Sequence, residues 1–413
     1  MQELKAGFAR TDITPALHTP VHGYFEPRYA SGVLDPLQAD VLAIASGDTK
    51  VLLISLDLCE FCADVMLPIR QSIAAATGIA LDAILICATH NHTGPCLLSE
   101  QGAKNYTMFG VPFDDAQMKL LRDYRILLQD RLTKTAVCAV QDLRPASMRC
   151  GSAECTGVSF VRRYRMKDGK IRTNPGIGNP DIVESLGQAD KQMCVLQLQR
   201  ENGSILLTHF GNHADTVGGE QICADWPGVM RAAVEQAVPG SQCIFFNGGE
   251  GNINHFDAML TNPEYAVYLK ENTEITAAAA YCGQKCAQAV LKALENAAPV
   301  EGSAIRFQSL CFKYPSKSNE ENISVTLFGV AVGDVAFVGI PGEPFAETAI
   351  ALKKAGDWRM VLPCSLTNDF LDYFPTKDAL DGSSYEARSC RFVPGIAEKI
   401  EENGVCLLAQ LKT

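Results

Sequence analysis

Apolar and polar positions follow two rhythms in the first ninety residues. ADVLAIASG and KVLLISLDLC (Lys50–Cys59) are near-continuous apolar runs of strand length on either side of a Gly-Asp turn, which predicts two buried strands. DVMLPIRQSIAAATG then changes to the spacing of an amphipathic helix and stops at Gly78, and AILICATH returns to strand. FDDAQMKLLRDYRILLQDRLTKTAVCAVQDL predicts a long helix, and the stretch from Arg162 to Gly187, dense in glycine, proline and asparagine, a loop-rich insert. KQMCVLQLQR and GSILLTHFGNH are expected to pair across an ENG turn. They are followed by the helix PGVMRAAVEQAVP with proline near its start, the strand SQCIFFNG and the helix TEITAAAAYCGQKCAQAVLKALENA. The last quarter repeats the alternation in ISVTLFGVAVGDVAFVGI, PFAETAIALKKAG and MVLPCSLTN. The pattern predicts an α/β chain with one core and a single domain over residues 1–413, without low-complexity segments or short-period repeats.

Composition narrows the classes. With 47% hydrophobic and 20% charged residues the chain reads as globular, and a formal charge of -11 argues against a nucleic-acid partner, which needs a concentrated basic surface. RRYR (Arg162–Arg165) is its only short basic cluster. The start MQELKAGFARTDITP lacks the apolar stretch of a signal peptide, and no run approaches the roughly 20 apolar residues of a membrane helix. The expectation is a cytoplasmic protein without stable membrane insertion. Sixteen cysteines are scattered through hydrophobic segments and so predict buried free thiols. CEFC (Cys59–Cys62) has a redox or zinc spacing, but no second pair lies nearby.

Histidine is scarce, with seven in the chain. His90 and His92 follow a buried-looking strand and precede Gly94-Pro95; on an extended segment both rings face one site, as metal ligands or as hydrogen-bonding groups. His213 closes LLTHFGNH at a similar junction, with His209 four residues earlier placed in the core or behind the site. Glu343, after a strand and a PG turn, either joins the histidines or stabilises a helix start. Two histidines, a carboxylate and an open position are a common catalytic zinc set, and α/β sites form beyond the carboxyl ends of strands.

GFARTDITP, ATHNHTGP, FGNHADT, FNGGEGNINH, IPGEPF and LTNDFLDYFPT, in that order and across nearly the whole chain, resemble the motifs of the neutral/alkaline non-lysosomal ceramidase family in its N-terminal catalytic region. The resemblance implies a compact, multi-layer, mixed-sheet α/β catalytic domain. It makes His90, His213, Glu343 and Tyr373 the ligands of Zn2+, His92 an active-site neighbour of the metal, and Arg162 or Arg163 the arginine directed at the substrate. This sequence departs from the family at Asn254, which stands where the ceramidases have an active-site serine. An amide hydrogen-bonds substrate but is no nucleophile. The family's C-terminal immunoglobulin-like domain is also expected to be missing.

The resulting expectation is hydrolysis of an amide or related carboxylic derivative by zinc-activated water. The substrate is a small molecule, more polar than long-chain ceramide. The alternatives are a true ceramidase, a metal-dependent lyase or isomerase, and a non-catalytic metal-binding protein. Asp57 is expected to hydrogen-bond a metal histidine or cap the next helix, while His22, His255 and Asp257 are candidates to line the pocket. GYFEPRYASG (Gly23–Gly32) and the loop around Asn174 to Glu184 are candidates to cover it, and the oligomeric state is not fixed.

Overall fold

Three sheets, met in chain order, repeat one plan. The computed structural model describes residues 3–24, 26–95, 97–98, 113–318, 322–380 and 384–412. In the first sheet Leu4–Asp12, Gln38–Ser46 and Thr49–Leu56 run antiparallel, and Ile84–Ala88 adds parallel to Thr49–Leu56 after the helix Ala63–Thr77. The second builds Ser147–Glu154, Gln192–Arg200 and Gly203–Phe210 in the same way, with Ser241–Asn247 parallel to the last after the helix Asp225–Ala237. The third has Ile305–Tyr314, Ile323–Val332 and Val335–Gly339, then Met360–Cys364 parallel after the helix Ala346–Lys353. A further long helix closes each unit and packs on its crossover helix: Asp115–Gln141, Ala277–Glu295 and Ile396–Lys412.

The repeat extends to packing detail. A Cβ on Gly7 would stand 2.1 Å from the carbonyl oxygen of Ala139, and one on Gly151 would stand 2.3 Å from that of Ala293. Both glycines lie in the first strand of their unit, against the end of its closing helix, where only a hydrogen atom fits.

Strand periodicity explains how one chain makes several cores. In the second sheet Leu207, Ile244 and Phe246 point into a central cluster shared with Leu42, Ile54 and Ile86 of the first sheet and Val330, Phe337 and Leu362 of the third. Their neighbours Leu206, Cys243 and Phe245 point the other way, onto Trp226, Met230, Cys282 and Val290 of that unit's helices. The third sheet likewise sends Val325, Leu327 and Val338 onto Leu352, Leu407 and Leu411. Strands buried on both faces therefore read as unbroken apolar runs, each large side chain contributing about 1.5–3 kcal/mol by leaving water.

Most predicted elements are present. The helix after the second strand ends at Gly78 in the left-handed conformation (φ 71°), and the ENG turn joins paired strands. The segment from Arg162 to Gly187 departs from expectation: it forms a small antiparallel sheet of Ile171–Thr173, Arg163–Met166 and Ile182–Ser185. Strands this short, separated by glycine-rich turns, leave no readable alternation. Every cysteine among the described residues is free, and most are buried, as expected. No helix of the described residues is long and apolar enough to cross a membrane.

Candidate functional site

The loops at the carboxyl ends of the parallel strands meet at one cavity of about 1020 Å³. His90 comes two residues after Ile84–Ala88, His213 three after Gly203–Phe210, and Glu343 four after Val335–Gly339, so each unit delivers one side chain. The extended geometry expected at His90 does not hold: its φ is 71°, and Asn91 instead bridges to Ala214, tying the His90 loop to the His213 loop. The two rings still converge, with His92 Nε2 3.3 Å from His90 Nε2. Glu343 is not the cap of the helix beginning at Ala346; its backbone pairs in parallel with Tyr373.

The protonation pattern at the floor of the cavity follows from its partners. His90 Nδ1 lies 2.8 Å from the Cys59 carbonyl oxygen, and His213 Nδ1 lies 2.9 Å from that of Glu250. A carbonyl only accepts, so both Nδ1 atoms carry hydrogen and both neutral rings present the lone pair of Nε2. Those two Nε2 atoms are 3.2 Å apart, and each is 3.4 Å from Glu343 Oε2. Glu343 Oε2 is buried and has no hydrogen-bond partner among the described residues. Three acceptors therefore face one point, and they repel one another unless a cation lies between them.

A proton on His90 is one such cation. Burial works to lower the His90 pKa, but Glu343 and the Cys59 thiol together hold it well above the ordinary value. One N–H, however, has to serve acceptors at 3.2 to 3.4 Å, at or past the long end of the ~2.7–3.2 Å range for such bonds. A metal ion fits better. Ligands at zinc's bond length of ~2.0–2.1 Å stand roughly 3.3–3.4 Å apart at tetrahedral angles, close to the spacing found here. The backbone carbonyls behind each ring are the usual outer partners of a metal-binding imidazole. The donor set and its spacing thus fit a divalent cation.

Around this floor the expected residues divide. Arg162 is the inward member of its pair: Nε meets Glu386 at 2.8 Å, Nη2 the Gly251 carbonyl at 2.9 Å, and Nη1 lies 3.0 Å from His213 Nε2. Arg163 turns away and stacks over the Phe345 ring at 5.3 Å, outside the cavity lining. Tyr373 lines the cavity, its phenol pushed well above its usual pKa by burial and by Glu343, with the Arg162 guanidinium 5.5 Å from its ring. Burial, with His90 beside it, drives the His92 pKa well down, and Nδ1 of that ring has no partner among the described residues. Asn254 is one layer back: its Nδ2 donates to Asn174 Oδ1 at 3.1 Å, and it is Asn174 that lines the cavity.

One second-rank expectation is corrected. Asp57 binds no histidine and caps no helix; Arg231 grips it at 2.9 and 2.6 Å, because a fully buried carboxylate takes the nearest bidentate donor. His209 lies in the core, one of the two places expected for it, where its Nε2 donates to the Pro363 carbonyl at 2.7 Å. His22 does line the cavity, while His255 stands behind it and holds Asp215 at 3.0 Å. Against its own burial, Asp215 is kept far below the usual carboxylate range by that ring. Asp257 lies outside this cavity and accepts from Thr261 and Asn262. Sequence reasoning missed Glu386, which orients Arg162 and is itself held by Thr173 at 2.7 Å, and Asp215. Each is a single acidic residue with no spacing to mark it, Glu386 in the short helix Tyr385–Ser389 and Asp215 in an irregular segment.

No protein-family model and no curated protein sequence matches the chain. Among solved structures, neutral ceramidase from Pseudomonas aeruginosa superposes with a TM-score of 0.75 at 16% identity, covering 100% of this chain and 75% of that one. A ceramidase complexed with C2 gives 0.77 at 15% identity, covering 100% and 76%. Identity this low speaks for architecture and not for chemistry. The chain has the ceramidase-like fold, a mixed α/β domain, with a candidate metal-binding cluster where its three strand units meet.

Proposed function

We propose that the protein is a zinc-dependent hydrolase that adds water across the acyl bond of a small polar amide or related carboxylic derivative. The observation that carries this reading is the triangle of buried acceptors, His90 Nε2, His213 Nε2 and Glu343 Oε2, with sides of 3.2, 3.4 and 3.4 Å. These residues, with the Tyr373 phenol beside them, would hold the ion. When bound there, Zn2+ supplies Lewis acidity that brings the pKa of a water toward neutrality and polarises a carbonyl.

The chain's own residues then have distinct tasks. His213 gives its lone pair to one partner only, so acting as a ligand frees the Nη1–H of Arg162. Glu386 and the Gly251 carbonyl keep that guanidinium in place. Of its five N–H donors, those not held by these partners or by the Tyr373 phenol are available to the oxygen that gains charge as the carbonyl is attacked. His92, a neutral ring at the cavity wall, takes the proton of the attacking water and returns it to the leaving nitrogen as the C–N bond breaks. Asn254 contributes through Asn174, as an anchor and not as a nucleophile.

The walls carry charged groups for a polar substrate among a larger share of apolar surface. His22, Glu60, Asp215, Asp372, Arg388 and Arg391 all border the cavity, alongside Tyr24, Phe370 and Tyr385. A long acyl chain laid on these charges would strip their water without replacing it. Hydroxyl, amide or charged groups would replace it, and the aromatic rings would supply the apolar contact.

The test is elemental mass spectrometry on protein purified without a metal column. About one equivalent of zinc retained at this site and lost in His213→Ala, with the fold intact, is the expected result. Turnover of an amide panel in heavy-oxygen water should then place solvent oxygen in the acid product. Metal retained undiminished in both His213→Ala and Glu343→Ala sinks the site; a product free of solvent oxygen replaces hydrolysis with lyase or isomerase chemistry.

A further inference from the structure

The repeat of three units exposes a feature of the first that the proposed reaction does not use. After the first parallel strand of the second unit comes His213, and after that of the third comes Glu343. At the same place in the first unit, three and four residues beyond Thr49–Leu56, stand Cys59 and Glu60. Their side chains do not join the triangle. Glu60 Oε1 lies 3.0 Å from His22 Nε2, and one donor atom from each of His22, Cys59 and Glu60 lies within 4.8 Å of the other two. All three residues are buried and all three border the same cavity.

We propose that His22, Cys59 and Glu60 form a second site for a zinc-class divalent cation, beside the first and open to the same cavity. The plain alternative is a hydrogen-bonded histidine and glutamate with a thiol as bystander. Two features speak against it. The loop bearing His22 is fixed as a ligand loop needs to be: its N–H donates to the Gly94 carbonyl at 3.0 Å, and its carbonyl accepts Arg28 Nη2 at 2.7 Å. The same Nη2 also holds the His92 carbonyl at 2.8 Å, so the loops of the two sites are locked together by one guanidinium. Second, the buried Cys59 thiol lies with its sulfur within 4.8 Å of a donor atom of both His22 and Glu60, closer than a bystander in the wall needs to come. A divalent ion uses all three groups: the thiol gives its proton to solvent, and thiolate, imidazole nitrogen and carboxylate oxygen become ligands. Mixed sulfur, nitrogen and oxygen donors favour zinc over magnesium or calcium.

Cys59 also connects the two sites. Its carbonyl accepts His90 Nδ1 at 2.8 Å, while its Sγ lies 3.8 Å from that nitrogen. The His90 ring thus separates the centres, with Nε2 turned to the first and Nδ1 to the residue that would serve the second. An ion held by three side chains keeps a position for an oxygen of the polar substrate, so the second site would bind its far end. The inference does not require that the first site hold metal.

The experiment loads metal-depleted, full-length protein with Co2+ alone. Two ions per chain are expected, with a near-ultraviolet thiolate-to-cobalt charge-transfer band. His/Glu/Tyr coordination cannot produce that band. Cys59→Ser should abolish it and leave one ion; Glu60→Gln and His22→Gln should each weaken the band-giving site at least about tenfold. Cys62→Ser should change neither. In His213→Ala the band should persist while the other ion is lost. One ion per chain without a thiolate band overturns the second site and leaves the hydrolase reading intact. A band that survives both Cys59→Ser and His22→Gln also overturns it. A band that depends on Cys59, with all metal retained in His213→Ala, upholds it while removing the first site. Circular dichroism checks each fold, and Glu60→Gln carries the test if Cys59→Ser does not fold.

Discussion

Two buried clusters of charge, both at the ends of strands, behave as opposites. In the first, Arg231 holds both oxygens of Asp57, one of which also accepts Gln38 N–H at 2.9 Å, and lies 3.5 Å from Asp40. Arg10 completes it, donating to Asp40 and, at 2.7 Å, to the Cys243 carbonyl. In the second, at the cavity floor, His90, His213 and Glu343 offer three acceptors to one another and Glu343 Oε2 has no donor among the described residues. In the first cluster every carboxylate oxygen has a donor, with only the Nε of Arg231 lacking a partner among the described residues, and the cluster joins strand, helix and loop. The second is complete only with a cation that the chain does not supply. Burial alone does not mark function; the mismatch between donors and acceptors does.

The largest expected difference comes from breaking each cluster in turn. Glu343→Ala should lower activity by at least about a thousandfold and release the metal, because a ligand is lost with it. Melting of the metal-free protein should fall less than in Arg231→Ala, because relief of the crowding between Glu343 and the His213 lone pair offsets part of the lost attraction to His90. Arg231→Ala should do the reverse. It leaves Asp57 and Asp40 buried with too few donors, which costs about 3–5 kcal/mol, read from denaturant unfolding. The protein that remains folded should still bind metal. If Glu343→Ala unfolds the chain, or Arg231→Ala strips the metal without loss of stability, the distinction between the clusters is wrong.

A pH titration sharpens the same contrast with a group in neither cluster. Burial, with Lys353 nearby, lowers the His209 pKa from 6.5 to about 3. The folded state therefore prefers the neutral ring. Its contribution is complete above pH 6.5 and is lost as the pH falls from there toward 3, on the order of a few kcal/mol in all. Unfolding of metal-free protein followed across that window should show the decline, and His209→Gln should flatten it. An unchanged slope in the variant assigns the acid sensitivity elsewhere.

These contrasts also explain what could be read from the chain alone. Sheet and helix were legible where burial on both faces made long apolar runs, as in KVLLISLDLC and SQCIFFNG. The threefold repeat was not, because it lies in strand order and in single close contacts such as Gly7 against Ala139, with no recurring motif. His90, His213 and Glu343 stood out because scarce or charged residues followed apolar strands. Their convergence depended on packing between units, which no local pattern records. Asp57 looked like a partner for them by the same reasoning, and only Arg231, 174 positions away, shows otherwise. Arg162 and Arg163 were indistinguishable as neighbours, until strand pairing turned one to Glu386 and the other onto Phe345.

The smallest expected effect concerns Asn254. Its backbone pairs with Phe160, its Oδ1 accepts the His255 N–H at 3.0 Å, and its Nδ2 holds Asn174 at 3.1 Å. Asn174 sits in the left-handed region (φ 49°) with its own N–H on the Arg162 carbonyl at 2.9 Å, so it is the amide between Asn254 and the substrate. Asn254→Ala removes both of these side-chain hydrogen bonds; the one that reaches the cavity, to the Asn174 side chain, is worth about 1 kcal/mol. A fall of about five- to tenfold in kcat/KM should follow, mostly through KM, with metal content unchanged. Asn174→Ala should produce a similar loss, and the double variant should lose little more, because the two amides act in series. Additive losses would mean that each amide meets the substrate independently. A loss in Asn254→Ala of a thousandfold, carried by kcat, would return Asn254 itself to the reacting atoms and make Asn174 the bystander.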